Sequence, residues 1–384
     1  MFVKEIRLRN FRNYEKAELC FKPGVSLVKG ANGQGKSNLL EAIYCLCFAG
    51  SFRPARDEDM VYWNKPFYFL QGTVYSNNCY YRLEIGYALA QKRKVVKING
   101  TVEKKGRFGH AFPVVFFVPE DLEIVRRGPE ERRRFLDREL CQLSPVYAAD
   151  LSAYRRALMQ KNRLLKEKKN ATGIKELLEP WNRQLIQYGS RIISRRSDMI
   201  RIWNNKAAKN YSVLFHCGQN LQLDYMSSTV DGEFPSDLEY IAENMSREIK
   251  MREEEERVRG YALVGPHKDD LLFLLDKREA RKFASHGQQR SAVIALKAAQ
   301  VQYYREMAEK PLFMIDDIFS ELDELRRRQC LLLFSDAAQV FMTVTGERNY
   351  LENYPKGQEI VSFFCVQEGK IREVGHGDQS GLAH

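Results

Sequence analysis

Residues Gly30-Ala31-Asn32-Gly33-Gln34-Gly35-Lys36-Ser37 follow the spacing G-x-x-x-x-G-K-S, a pattern suited to cradling phosphate. Glycine at these positions lets backbone N–H groups turn inward around phosphate oxygens, and a following helix adds its positive end. The context agrees: the strand-like Val25 to Val28 precedes the loop, and the helix-like Asn38 to Tyr44 follows it. Lys36 is the candidate cation for the β and γ phosphates of a nucleotide, and the Ser37 hydroxyl is a candidate Mg²⁺ ligand. A second constellation closes the apolar stretch Leu312-Phe313-Met314-Ile315-Asp316-Asp317. Paired acids at a strand end suit phosphoryl transfer to water, with Asp316 on the metal side and Asp317 activating or orienting the water. A third, Ser285-His286-Gly287-Gln288-Gln289-Arg290, opens a good helix. A hydroxyl, a glycine and an amide there can hold an anion. The same residues equally describe an ordinary capped helix.

These groups need a scaffold. At 384 residues with 44% apolar content, the chain can bury a large core, which excludes disorder as its main state. The longest nearly apolar run, Ala42 to Ala49, is far short of the ~20 residues of a membrane span, and the charged amino terminus is no signal peptide. Eight scattered Cys, with Cys45 and Cys47 the only close pair, read as free core thiols in a reducing cytoplasm. Short apolar alternations at Phe67–Val74, Tyr80–Ile85 and Val95–Ile98 predict strands, with Asn99-Gly100 as a hairpin turn. Val114–Val118, Pro311–Ile315, Gln339–Val344 and Glu359–Val366 predict further strands, Ser291–Ala308 predicts a helix, and the tail from His376 reads as loose. Strand-rich ends around a helical middle imply one α/β core closed by both termini.

Sixty-one Lys and Arg against 50 Asp and Glu leave +11, and the excess is local. Residues 150–215 hold 15 basic against 5 acidic residues, on apolar spacing that predicts two or three long helices interrupted at Gly173 and Pro180. A merely solvating face mixes its signs, so this imbalance reads as an arm facing a polyanion. Arg155, Arg156, Arg195 and Arg196 are the candidate DNA contacts on it.

Ser285 to Arg290, placed before the acidic strand end, resembles the signature motif of ABC-type ATPases, and Ser320-Glu321-Leu322-Asp323 resembles their D-loop. That resemblance implies two heads sandwiching two ATP molecules, each signature facing its partner's nucleotide. Ser285, Gly287 and Gln288 then join Gly30 to Ser37 as nucleotide-binding residues. Only 247 residues separate Ser37 from Ser285, too few for the long coiled coil of SMC proteins. Further strings resemble the RecF family of bacterial recombination-repair proteins: Leu8-Arg9-Asn10-Phe11-Arg12-Asn13-Tyr14, the phosphate loop, Ser51-Phe52-Arg53, Phe117-Val118-Pro119-Glu120-Asp121-Leu122, Arg133-Arg134-Phe135-Leu136-Asp137 and Gly265-Pro266-His267-Lys268-Asp269-Asp270. The family pattern has Arg where Lys268 stands.

The resemblance implies an α/β fold: an ABC-type P-loop ATPase head with mixed sheets in lobe I, and a mainly helical lobe II with a short arm. The expected division is 1–125 for the amino-terminal part of lobe I, 126–284 for the basic arm and strands, and 285–384 for the signature helix and the rest of the core. The expected activity is slow, DNA-stimulated ATP hydrolysis in the cytoplasm with ATP and Mg²⁺ as cofactors, and an ATP-dependent homodimer clamping duplex or gapped DNA. RecO and RecR are the implied partners in loading RecA, with no membrane partner. A membrane-transporter ATPase subunit and a condensin-like structural ATPase are the alternatives.

Several residues carry two readings. Arg12 and Asn13 follow the first strand, either as a plain turn or as a nucleotide contact. Glu120 or Asp121 is a γ-phosphate sensor in the position of a Q-loop, or Asp121 is a helix cap. His267 with Asp269 and Asp270 is a weak metal cluster or, better, a structural joint between lobes. Thr343-Val344-Thr345 occupies the place of a switch histidine, so any phosphate sensing there relies on hydroxyls.

Overall fold

The computed structural model describes residues 1–384 apart from 54, 104–111, 168–172, 215–217, 230–236, 308–309, 319–321, 323, 334–336, 346–359 and 375–384. Most of the D-loop string and the tail from His376 therefore lie outside the described residues. In chain order the elements begin with β1 (Phe2–Phe11), β2 (Tyr14–Cys20), β3 (Gly24–Lys29), α1 (Lys36–Phe48), β4 (Phe67–Ser76), β5 (Cys79–Ala88), β6 (Arg93–Ile98), β7 (Thr101–Val102) and β8 (Val114–Phe117). The middle holds α2 (Pro129–Leu143), α3 (Pro145–Glu167), α4 (Ile174–Leu214), β9 (Leu221–Met226), α5 (Leu238–Met251), α6 (Glu253–Arg259), β10 (Asp270–Leu275) and β11 (Arg278–Glu279). The chain continues through α7 (His286–Glu306), β12 (Leu312–Asp316), α8 (Glu324–Leu333), β13 (Gln339–Val344), β14 (Ile360–Gln367) and β15 (Lys370–Val374).

Two compact units result: Met1–Asp121 with Lys297–His384, and Leu122–Leu296. The second boundary falls inside α7, so Ser285 and the first turns of that helix group with the helical unit.

The first unit has two six-stranded sheets. One runs β2-β1-β4-β5-β6-β7 and is antiparallel. Its strands alternate buried and exposed residues, as one covered face requires. Asn99 and Gly100 both take positive φ (49° and 83°) at the β6–β7 turn, as a two-residue hairpin of this hand demands. The other sheet runs β15-β14-β3-β13-β12-β8, with only the β15 edge antiparallel. Its β8, β12 and β13 are buried throughout and mostly apolar, as expected of parallel strands covered on both faces. Register matters most here: Asp316 pairs with Thr343, and Thr343 pairs with Val28. The carboxyl ends of β3, β13 and β12 are thereby level, which brings the loop after β3 and the acids after β12 to one edge.

In the second unit, α3 and α4 pack side by side and antiparallel. Tyr147 meets Arg196, Asp150 meets Arg195, and Leu165 clusters with Leu178. Pro180 does not interrupt α4: it lies inside the 41-residue helix, in the second turn, where its missing N–H leaves the Glu176 carbonyl without that helical bond. The segment 150–215 is thus two long helices. A three-stranded sheet, β11-β10-β9, completes the unit. Seven cysteines are described and all are free, but Cys20 and Cys79 are exposed, so these two are not core thiols. No described helix is long and apolar enough to cross a membrane.

Candidate nucleotide site and the basic helical unit

β3 delivers the chain into Gly30–Gly35, and α1 starts at Lys36. Gly33 and Gly35 take φ of 80° and 120°. A Cβ on Gly35 would lie 2.5 Å from Asn13 Nδ2 and 2.9 Å from the Tyr14 hydroxyl, and one on Gly30 would lie 2.5 Å from the Val366 carbonyl. The loop is held from outside as well as within. Asn13 donates to the Gln34 carbonyl (2.9 Å), Tyr14 to the Gly35 carbonyl (2.8 Å), and Asn38 to Asn13 Oδ1 (2.9 Å). Asn13 is therefore a brace of the loop. Gly35→Ala should accordingly cost more than the about 1–3 kcal/mol of its backbone conformation alone and should abolish tight nucleotide binding. Gly33→Ala, with open space around its Cβ, should cost only the conformational part. Nucleotide titration and melting of the two variants check this, and parental affinity in Gly35→Ala would refute it.

The Lys36 ammonium donates to the carbonyls of Gly30 (2.8 Å) and Ala31 (2.9 Å). Burial pulls its pKa below the ordinary value, while Asp317 and Asp316 pull it back up. The two acids are held by threonines. Thr343 Oγ1 donates to Asp316 Oδ1 (2.7 Å) and accepts from the Asp317 N–H (2.9 Å), and Thr345 Oγ1 donates to the Asp317 carboxylate (2.9 Å). Asp317 sits at φ 48°, a left-handed conformation that Asp and Asn tolerate better than Glu. The hydroxyls expected to sense phosphate thus orient the acids.

Arg12 is also left-handed (φ 53°), and its fork closes on the fully buried Glu41 of α1, at 2.9 Å from Nε and 2.5 Å from Nη2. Its Nη1 donates to the Asp59 carbonyl (2.7 Å). Ser51 and Arg53 donate to the same Glu41. Three residues from two of the sequence strings thus converge on one carboxylate that sequence reasoning missed. The signal available was an acid just before the apolar run of α1, which needs cations once buried. Asp121 accepts from the Val118 N–H (3.0 Å) and pairs with the buried Lys297 (3.3 Å), the capping alternative, while Glu120 is exposed.

Within the second unit, Ser285 Oγ accepts from the Gln288 N–H (3.3 Å), and Gln288 Oε1 accepts from the Ser285 N–H (2.7 Å). This reciprocal cap leaves Ser285 exposed. Among the basic candidates, Arg196 is a correction. It is 2% exposed and donates to Asp137 (2.6 Å), Tyr147 Oη (3.0 Å) and the Pro266 carbonyl (2.7 Å), so each of its nitrogens is engaged within the protein rather than held out for DNA. Arg195 and Arg155 are tied to Asp150 (2.6 Å) and Asp137 (2.9 Å). Exposed Arg156 donates to Ser152 (2.7 Å) and, among the described residues, pairs with no carboxylate.

His267 is neutral and structural. Its Nε2 donates to the Ala262 carbonyl (3.1 Å), Tyr154 donates to its Nδ1 (2.6 Å), and burial lowers its pKa to about 4. Asp270 receives both arms of Arg132 (2.6 and 2.7 Å), and Asp269 accepts from Tyr225 (2.7 Å) and the Ser228 N–H (2.7 Å). Among the described residues no cluster of three His, Cys, Asp or Glu could hold a metal ion. All these partners lie in the second unit, so the joint lies within that unit and not between lobes. Lys268 stands over the Tyr261 ring, 4.7 Å from its centroid.

A phosphate loop and an acid pair at the end of a parallel sheet define a class, and the comparisons give the same class: residues 2–372 match the RecF/RecN/SMC N-terminal domain. An Smc head bound to the C-winged helix domain of ScpA superposes with a TM-score of 0.55 at 13% identity, covering 98% of this chain and 99% of that one, a likeness of fold. The fold is a mixed α/β head of the ABC/SMC type. The DNA replication and repair protein RecF of Bacillus thuringiensis (strain Al Hakam) is 36% identical over 349 residues, 90% of this chain and 92% of the relative. RecF of Bacillus cereus (strain B4264) matches to the same extent. A solved structure of the recombination mediator protein RecF with ATP, in the RecFOR pathway, aligns with a TM-score of 0.87 at 31% identity, covering 97% of this chain and 98% of that one. This chain belongs to the RecF family.

Proposed function

We propose that this chain binds ATP with Mg²⁺ in the loop Gly30–Ser37, dimerises through its heads, and clamps duplex or gapped DNA until slow hydrolysis releases it. The observation that carries the reading is the single edge on which the glycine cradle, Lys36 and the threonine-held Asp316 and Asp317 meet. The residues fit the nucleotide: a side chain on Gly30 or Gly35 has no room, and Lys36 already answers to both acids electrostatically. Gly30 to Gly35 supply backbone donors to phosphate, and Lys36 supplies a cation. Ser37 and Asp316 would hold Mg²⁺, which neutralises charge on the phosphates. Asp317 orients the attacking water.

Closure would set Ser285, with Gly287 and Gln288, against the partner's nucleotide, and the exposed hydroxyl supports that role. DNA would be held through phosphates by α3 and α4, with Arg156 the cation least committed to acids. By likeness to RecF, the setting is recombinational repair and replication restart, with RecO and RecR helping to load RecA onto single strands. The 36% identity across 90% of the chain favours this over a transporter subunit or a condensin-like ATPase.

Ser285→Arg tests closure. It should bind ATP as a monomer and fail to dimerise, because bulk and charge would meet the partner head. Ser285→Ala loses only the cap, about 1 kcal/mol, and should still dimerise with ATP. Sedimentation with and without ATP decides; a normally dimerising Ser285→Arg would remove the trans arrangement.

A further inference from the structure

Within the second unit, α2, α3, Arg196 of α4 and the Pro266-His267 turn line a half-open pocket of ≈ 240 Å³. A water takes about 30 Å³ of liquid volume, so this space holds a tetrahedral oxyanion with several waters. Four guanidiniums line it, from Arg133, Arg134, Arg155 and Arg196, against two carboxylates, Glu130 and Asp137.

The four arginines differ in what they have left to give. Arg196 has Nε, Nη1 and Nη2 all engaged, and it contributes charge from the floor. Arg134 is spent on Glu130 and Glu131. Arg133 makes one bond, from Nη1 to the Asp269 carbonyl (2.8 Å), and has no carboxylate partner among the described residues. Its Nε and Nη2 remain as an open fork. Arg155 uses Nη2 on Asp137 (2.9 Å), leaving Nε and Nη1. Burial lowers the Arg133 pKa, with the Arg196 charge adding to the effect, while Asp270, Asp269 and Glu130 act against it.

We infer that this cavity is a phosphate site, distinct from the loop Gly30–Ser37, with Arg133 and Arg155 as its donors. The open Nε/Nη2 fork of Arg133 and the remaining Nε and Nη1 donors of Arg155, both lining one volume, suit an ion with three or more oxygens. Four guanidiniums against two carboxylates, Glu130 and Asp137, leave a positive excess that favours phosphate over a single carboxylate. The phosphate can belong to a nucleic-acid backbone or be free, and the chemistry of recognition is the same.

The test uses the full chain carrying Lys36→Ala, which silences the loop site, titrated calorimetrically with inorganic phosphate against a chloride control at constant ionic strength. Saturable phosphate binding should persist and should weaken by at least about tenfold in Arg133→Gln and in Arg155→Gln. Arg155 is largely exposed, so its variant folds even if Arg133→Gln is compromised. Competition by duplex DNA identifies the backbone as the source, and binding that duplex leaves untouched identifies free phosphate. Either supports the site. Absence of saturable binding in the Lys36→Ala chain, or unchanged affinity in both arginine variants, overturns it.

Discussion

Asp317→Asn is expected to bind ATP as tightly as the parent and to hydrolyse it about 10²–10⁴-fold more slowly, the usual worth of a positioned acid or base. The substitution is mild in every respect except charge. Asn tolerates φ 48° as Asp does. Its amide oxygen can still accept from Thr345 Oγ1, and the bond from Thr343 to Asp316 is untouched. The loop carbonyls keep Lys36 in place. What disappears is the negative charge proposed above to orient the attacking water. Lys36→Ala should fail one step earlier, losing tight ATP binding itself. Equilibrium binding and single-turnover hydrolysis separate the two. Parental turnover in Asp317→Asn would mean that another group positions the water.

How far the sequence led depends on the range over which each signal acts. The phosphate loop, the acid pair and the strand β13 were legible because they rest on local spacing and on mostly apolar runs, and β13 spans Gln339–Val344 as its run predicts. Asn99-Gly100 announced its hairpin for the same reason. What was hidden needed a partner remote in sequence. Glu41 reads as one acid in a helix until Arg12, Ser51 and Arg53 arrive beside it. Thr343 reads as a hydroxyl for phosphate sensing until register pairs it with Asp316 on one side and Val28 on the other. Composition misled outright at Arg196. A charge run counts cations but says nothing of which face each occupies, and at helical spacing Arg196 falls beside Ile192, Ile193 and Ile200 on the buried face.

Burial of Arg196 makes it the most consequential residue of the second unit for stability. Arg196→Met should destabilise that unit by about 3–5 kcal/mol, the range for breaking a buried ion pair from one side. Burial works against the guanidinium charge, and Tyr147, Tyr225 and Asp137 outweigh it, so the side chain is held charged. Removal leaves the Pro266 carbonyl and part of the Asp137 carboxylate without their donors. Tyr147 still donates to Asp137 (2.6 Å), as does Arg155, which limits the loss at the carboxylate but not at the carbonyl. Gly265, at φ 124° with the Tyr154 hydroxyl 2.4 Å from where a Cβ would lie, leaves the turn no slack to find a new partner. For a unit of this size the midpoint of thermal unfolding should fall by on the order of 10 °C. Arg156→Glu, on the exposed side of α3, should leave the midpoint within about 2 °C, since surface changes are usually within 0.5 kcal/mol. It should instead weaken duplex binding. Melting curves of both variants decide: an Arg196→Met chain as stable as the parent would mean that the Asp137–Arg196–Pro266 connection is not what holds α4 to the turn.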